Sequence, residues 1–335
     1  MNRIFHNIFS FKNMKPRKIS FRYFIPNPDS IKKHNFIANQ IKKELEIRLA
    51  HRVINLSEFP SYLKEYKEIV DVKHLYVNSF VKISDFSNIK NEYERQKFGN
   101  LLKDIKDNHA YVPITMSRAV QEYKKISNED PKILNDVLDG FYSSRVGIRT
   151  LIDYYNYLFL ENNDKHYLHC DIKDVIEKAA IDAVDASIMY YRDTAIIPKI
   201  RVNIGEGSII KYRSSNLYFI SFEILKNGIR AMVDGNRNGN IEVDILDASE
   251  YNIIIFRDFG PSVKHTYVDN LFDYSFTTVG DDDIHKKELL AGFGHGLPLS
   301  RLYARYFGGE LLFIPYMNIK TEVVLYINKT PPRYT

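Results

Sequence analysis

The sequence predicts an α+β multidomain protein, with an all-α first half and a second half built on one mixed sheet covered by helices. Glycine usage is the first observation behind this. Of fifteen glycines only Gly99, Gly140 and Gly147 precede residue 166. A glycine-poor half with long periodic apolar stretches reads as helical. The second observation is a change of pattern after the polar stretch near Asn162 to His166, where short alternating runs and glycine turns begin. Such a mixture reads as a sheet with helices packed on it. The expected domains are residues 21–165 and 166–330, preceded by a distinct tail of residues 1–20.

That tail carries all the excess charge. Residues 1–28 hold Arg3, Lys12, Lys15, Arg17, Lys18 and Arg22 and no acid, within a chain of formal charge +5. Setting these six aside leaves 41 basic residues against 42 acidic ones. The body of the chain therefore offers no basic field, which argues against a nucleic-acid partner. A basic, acid-free start interspersed with Ile and Phe has the features of a mitochondrial transit peptide.

The helical half is expected to be a four-helix bundle. Its first helix covers Lys42 to Leu56, where Leu45, Leu49, Val53 and Leu56 share one face, and it stops before Pro60. Further helical patterns run over Ser61 to Phe80, around Ser117 to Ile126, and over Ile133 to Leu160. In the second half, Asp171 to Tyr191 is helical. RVNI (Arg201 to Ile204), LYFI (Leu217 to Ile220) and IEVDIL (Ile241 to Leu246) alternate like strands. YNIIIFRD (Tyr251 to Asp258) suits a buried central strand. Leu297 to Gly309 is a helix with Pro298 near its start and Gly308 and Gly309 at its stop. ELLFIPY and TEVVLYINK close the domain as a strand pair.

Single cysteine content (Cys170) excludes an intrachain disulfide framework and any cysteine-rich metal site. No apolar stretch approaches the ~20 residues needed to span a bilayer, so no transmembrane segment is expected.

Three short segments carry the chemistry. FEILKNGIRAM (Phe222 to Met232) sets Glu223, Asn227 and Arg230 at i, i+4 and i+7, one polar face of a helix, with Phe222, Leu225, Ile229 and Met232 opposite. RDFG ends the central apolar run on Asp258 and Gly260. GFGHGLP (Gly292 to Pro298) alternates glycine with bulky residues just before a helix, where backbone amides can surround phosphates. An acid and an amide on one helix, an acidic loop and a glycine-rich loop together point to a nucleotide–magnesium pocket.

In these segments the second half resembles the ATPase fold shared by gyrase, the Hsp90 chaperones, histidine kinases and MutL, the GHKL or Bergerat-type α/β sandwich. Over roughly residues 21 to 327 the chain is similar to the mitochondrial 2-oxo-acid dehydrogenase kinases, those acting on pyruvate dehydrogenase and on branched-chain 2-oxo-acid dehydrogenase. FRYFIPNPDSIK, KELEIRLAHRV, FEILKNGIRA, LFDYSFTT, GFGHGLP and SRLYARYFGGEL carry the similarity, in family order.

The resemblance implies roles. Glu223 would be the general base toward a substrate serine hydroxyl, and Asn227 the ligand of Mg2+ bound with ATP. Lys226 and Arg230 either neutralise phosphate or make ordinary salt bridges that order the helix. Asp258 would accept a hydrogen bond from the adenine amino group, which selects adenine over guanine. Gly260, Thr277, Thr278, Gly292, Phe293, Gly294, His295, Gly296, Leu297 and Thr321 complete the expected nucleotide contacts, with His295 a structural residue among them. Residues 264 to 291 would form a lid, and Asp281 to Asp283 within it reads as a solvated run. His109 matches a family histidine that approaches the general base from the helical domain. Arg145 and Arg149, one helical turn apart, match arginines near a pocket for small oxo-acid inhibitors. The spelling GIR, the FGG near Gly308 and the absence of tryptophan lean toward the branched-chain type.

The resemblance further implies a protein serine kinase of the mitochondrial matrix. Its substrate would be the E1α subunit of a 2-oxo-acid dehydrogenase, which phosphorylation inactivates. The lipoyl domain of the E2 core would be its docking partner and a homodimer its assembly. Two features depart from the family pattern. After Asp258 the family continues with three glycines, where this chain has Gly260, Pro261 and Ser262; and Lys320 replaces a glycine before Thr321. A proline lacks an amide hydrogen and fixes φ, so a displaced turn or a lost backbone contact is expected. These departures motivate a second reading, an ATP-binding sensor weakened in catalysis. A third is a histidine kinase acting through His109.

Overall fold

A computed structural model describes residues 2–17, 31–127, 131–160, 170–204, 209–210, 212–274, 276 and 294–329. The chain divides into two compact units, Met1–Asp164 and Lys165–Pro332.

The first unit is helical: α1 (Asn2–Ser10), α2 (Ile31–Ser57), α3 (Lys67–Ser84), α4 (Glu92–Asn108), α5 (Val112–Ile126) and α6 (Pro131–Phe159). Packing runs α4–α6–α2–α3–α5, with α1 laid on α2. Leu45, Leu49, Val53 and Leu56 are all buried, as their spacing requires. Two details differ from the sequence pattern. The Ser61 to Phe80 stretch is broken, because Tyr66 is extended between a short turn, Leu63–Glu65, and α3. The unforeseen helix α4 is sparse in apolar residues and buries only Arg95, Phe98, Gly99, Leu102 and Ile105. Its start is marked in the sequence all the same: Asn91 Oδ1 accepts from the Glu94 amide at 2.9 Å, the capping contact that stabilises a first turn.

The second unit contains, among the described residues, a sheet of order β2–β4–β5–β7–β6. Its strands are β2 (Lys199–Ile204), β4 (Asn240–Asp247), β5 (Tyr251–Asp258), β6 (Glu310–Tyr316) and β7 (Lys320–Asn328). β2 and β4 run parallel and the other neighbours antiparallel, so the sheet is mixed. A two-residue bridge joins β1 (Cys170–Asp171) to β3 (Ile209–Ile210). Helices α7 (Ile172–Tyr191), α8 (Ser214–Asp234) and α9 (Gly296–Tyr306) cover the sheet, α8 against β4 and β5 and α9 against β6 and β7. The covered face presents Ile241, Val243 and Ile245 from β4 and Ile254 and Phe256 from β5, all buried. β5 is the central strand, as its apolar run predicts.

One strand assignment is corrected. LYFI, Leu217 to Ile220, lies inside α8. A short apolar run cannot be told from a buried helical segment by periodicity alone. Here Leu217, Ile220 and Ile224 fall at helical spacing, and all three are buried. No helix among the described residues is long and apolar enough to cross a membrane.

Candidate active site

Helix α8 delivers four of the predicted groups. Glu223 and Lys226 are buried, and Asn227 and Arg230 are half-buried on the same helix. Lys226 Nζ donates to Glu223 Oε1 at 2.8 Å, and the same ammonium lies 5.2 Å from the Phe222 ring centroid. This ion pair holds the two side chains together across one turn of the helix.

Two glycines bring the other segments against this helix. At Gly228 an added Cβ would stand 3.3 Å from both Asp258 Cβ and Ile241 Cδ1. The missing side chain therefore lets α8 lie close to the end of β5. At Gly296, the first residue of α9, an added Cβ would overlap Glu223 Oε2. Thus the base candidate on α8 touches the start of α9, and Asp258, at the end of β5, packs against Gly228, the residue after Asn227 on α8. The three sequence segments converge.

The glycine-rich loop enters α9 through Gly294, whose φ of 82° is open to glycine at little steric cost. Among the described residues the N-cap, His295, makes no side-chain capping bond to the first turn of α9, and the amides and positive end of that helix suit an anion. His295 is buried, edge-on to the Tyr274 ring with centroids 5.2 Å apart. Burial pushes its imidazole down to about 3, so it is neutral at physiological pH and packs as an aromatic. Leu297 is half-buried beside it. Thr277, Thr278, Gly292 and Phe293, together with Asp281 to Asp283, lie outside the described residues. Among those described, no His, Cys, Asp and Glu side chains gather into a metal cluster.

Asp258 and Thr321 form the far end of the site. They are register partners across β5 and β7, and both are buried. Asp258 Oδ1 accepts from the Gly260 amide at 3.1 Å. Burial nonetheless raises its carboxyl to about 7, with the Gly260 hydrogen bond opposing the shift. A carboxyl so poised answers strongly to any donor placed beside it.

The helical unit holds a second cluster. His109 is 3% exposed; its Nε2 lies 2.8 Å from Ser79 Oγ, and its ring is edge-on to Tyr76 at 4.5 Å between centroids. Arg145 Nη2 donates to the His109 carbonyl at 2.8 Å. Burial, then the charges of Arg145 and Arg149, push the imidazole down to about 3. Arg145 is itself 5% exposed, and its Nε and Nη1 find no hydrogen-bond partner among the described residues. A buried guanidinium with two idle donors is costly unless an anion completes it. Sequence reasoning named the histidine and both arginines but missed Tyr76 and Ser79, whose i, i+3 spacing on α3 was the available signal.

A helix-covered mixed sheet on which an acid, an amide and a glycine turn converge is the arrangement of an ATP-binding domain. Residues 213–331 match the family model described as histidine kinase-, DNA gyrase B- and HSP90-like ATPase. Residues 18–176 match the model described as mitochondrial branched-chain alpha-ketoacid dehydrogenase kinase. The mitochondrial pyruvate dehydrogenase (acetyl-transferring) kinase of Arabidopsis thaliana is 30% identical, over 94% of this chain and 91% of that protein. Isozyme 3 of the mouse, Mus musculus, is 29% identical over 97% of this chain and 86% of its own length. A solved structure, the nucleotide-free catalytic domain of the histidine kinase ThkA, is 16% identical with a TM-score of 0.38, over 49% of this chain and 97% of that one. The chain belongs to the mitochondrial 2-oxo-acid dehydrogenase kinases, with a GHKL-type ATPase domain.

Proposed function

We propose that this chain is a protein-serine kinase that transfers the γ-phosphate of Mg-ATP to the E1α subunit of a mitochondrial 2-oxo-acid dehydrogenase and so inactivates it. The observation that carries the reading is the placement of Glu223, against the first residue of α9 and one turn before Asn227 on α8. In this reading ATP lies with its adenine toward Asp258 and Thr321 and its phosphates along the Gly294–Gly296 turn and the start of α9. Asn227 offers an amide oxygen on the phosphate side, the donor type that magnesium prefers. Bound there with the nucleotide, the ion would draw charge from the phosphate oxygens.

The chain's own groups then do the following. Glu223 takes the proton of the serine hydroxyl as its oxygen bonds to the γ-phosphorus and the bond to the ADP oxygen breaks. Lys226 moves its ammonium from Glu223 toward the arriving phosphates, and Arg230 adds a second positive charge. Most of the rate gain comes from positioning and charge neutralisation.

Serine as acceptor is supported by the burial of His109 and the engagement of its Nε2 by Ser79, which disfavour phosphorylation of that histidine. Its role in this reading is in the helical unit's pocket. There Arg145, His109, Tyr76 and Ser79, with Arg149 nearby, would bind the carboxylate of a small 2-oxo-acid effector. The helical unit would also dock the lipoyl domain of E2. Homodimer formation is supported by the sheet face that α8 leaves open. On it Leu246 lies beside Ile253 and Tyr326, and Ile255 beside Val324 and Leu312. We place the protein in the mitochondrial matrix, a reading supported as far as the mitochondrion by the relatives' names.

The test is phosphorylation of pyruvate-type and branched-chain E1 side by side, with E2 present, by wild-type protein and by Glu223→Gln. Transfer to serine that falls about 100-fold or more in the variant, the scale of a lost general base, supports the reading. Equal incorporation by both proteins removes Glu223 as the base. ATP binding without transfer to either substrate returns the sensor reading.

A further inference from the structure

The turn after Asp258 is where the chain departs from its family, and it is held from two sides. On one side it packs on the end of α8. A Cβ on Gly235 would overlap the Pro261 ring, and a Cβ on Gly260 would come within 2.8 Å of the Ala231 carbonyl carbon. Pro261 and Gly235 therefore fit each other, and Gly260 fits the helix. On the other side the turn is fastened to the hairpin between β6 and β7. Ser262 Oγ lies 2.7 Å from the Lys320 carbonyl, 3.0 Å from the Tyr316 carbonyl and 3.4 Å from Thr321 Oγ1. A hydroxyl has one proton to give. The shorter distance assigns it to the Lys320 carbonyl, which leaves the Ser262 oxygen able to accept from Thr321.

These contacts close a loop around the adenine end of the site. Asp258 is bonded to the Gly260 amide, Pro261 fixes the next φ, Ser262 reaches the hairpin, and the hairpin carries Thr321 back to its register partner Asp258. Backbone amides that glycines could have offered are replaced by one side-chain hydroxyl and a rigid ring. We propose that Ser262 is a positioning residue for purine recognition: it rivets the turn to the β6–β7 hairpin, so that Asp258 and Thr321 meet the amino edge of adenine as a preformed pair. The inference rests on the ATP-binding reading above. Preformed contacts cost less ordering when ligand arrives. The departures from the glycine pattern thus tighten the adenine end.

The experiment compares full-length wild type, Ser262→Ala and Ser262→Thr by calorimetry with ATP, GTP and inorganic tripolyphosphate, each with magnesium. Ser262→Ala should weaken ATP by about fivefold, the scale of one net hydrogen bond, and narrow the preference for ATP over GTP. Tripolyphosphate binding should stay within about twofold, because the phosphate end is untouched, and Ser262→Thr should restore ATP affinity. Unchanged ATP affinity in Ser262→Ala, a parallel loss of tripolyphosphate, or no recovery in Ser262→Thr would overturn the proposal. Wild-type protein that binds tripolyphosphate but shows no preference for ATP over GTP overturns it too and leaves the phosphate site standing. Wild type that binds none of the three removes the ATP reading itself, and the role of Ser262 with it.

Discussion

Lys226 Nζ and Glu223 Oε1 meet at 2.8 Å, one turn apart on α8, with both side chains nearly withdrawn from solvent. The other carboxylate oxygen faces Gly296. Lys226 therefore both neutralises the base candidate and stands closest to it when phosphate arrives. Replacing Lys226 with Met takes from Glu223 the ammonium hydrogen-bonded to it and removes a positive charge from the site. Both kcat for phosphoryl transfer and the apparent affinity for ATP should then fall, each by about tenfold, the scale of one charge-assisted hydrogen bond. A fall in ATP affinity with kcat unchanged would assign Lys226 to phosphate alone.

Asp258 supplies a pH dependence with a definite sign. Burial raises its carboxyl to about 7, whereas in the unfolded chain an aspartate titrates near 3.9. Between those values the folded protein binds the extra proton, so this group's contribution to stability is present at low pH and is lost as pH rises through 7. Asp258→Asn removes the cost of a buried charge. The advantage of nucleotide-free Asp258→Asn over wild type should therefore be greater near pH 8 than near pH 5 by about 1–2 kcal/mol, a cautious fraction of the linkage value. Chemical denaturation at the two pH values measures this. A constant difference between them would mean that Asp258 does not titrate on folding.

Much of this site was legible in the sequence because its spacing is local. Glu223, Asn227 and Arg230 share a helix face by arithmetic, and Asp258 ends a run too apolar to be anything but a buried strand. What stayed hidden depends on contacts between distant segments. Gly228 looks like an ordinary helix position, and Gly296 like a phosphate-loop glycine, until Asp258 and Glu223 are seen pressed against them. Ser262 read as a missing glycine, because its partners, the carbonyls of Tyr316 and Lys320, are more than fifty residues away. α4 escaped for a simpler reason. Its polar faces outweigh Phe98, Leu102 and Ile105, and only the Asn91–Glu94 cap announces it.

Arg145 makes the helical unit's pocket testable apart from catalysis. Its Nε and Nη1 are buried without partners among the described residues, beside a histidine held neutral. A carboxylate entering there would meet two donors and one full positive charge. Small 2-oxo-acids should raise the thermal midpoint of wild-type protein, by about 2.7 kcal/mol of stabilisation at a hundredfold excess over the dissociation constant. Arg145→Met should abolish that rise, while the ligand-free variant unfolds no earlier than wild type, because it sheds an incompletely paired buried cation. A thermal shift retained in Arg145→Met would place the effector elsewhere.

The N-terminal stretch raises a stability question that its composition does not suggest. Read as a transit peptide, residues 1–20 would be dispensable to the fold. Yet Ile8 is fully buried, Phe11 packs edge-on to Phe80 at 5.5 Å between centroids, and Lys73 lies over the Phe5 ring at 5.6 Å. Polar contacts fasten the following chain: Lys12 to Glu58 at 3.1 Å, the Arg17 amide to Glu44 at 3.0 Å, and Arg48 Nη2 to the Arg17 carbonyl at 2.9 Å. The exposed ion pair adds little, so most of the gain comes from Ile8 and the two rings. Burying one such side chain contributes about 1.5–3 kcal/mol, and a unit of this size loses about 2–4 °C of midpoint per kcal/mol. Deleting residues 1–17 should therefore lower the unfolding midpoint by about 5–10 °C and expose Phe80 to solvent, together with His51, whose Nε2 lies 3.0 Å from the Phe11 carbonyl. Calorimetry of the full chain and the truncated form decides it. An unchanged midpoint would show that the segment contributes nothing to the stability of the bundle, as a removable leader requires.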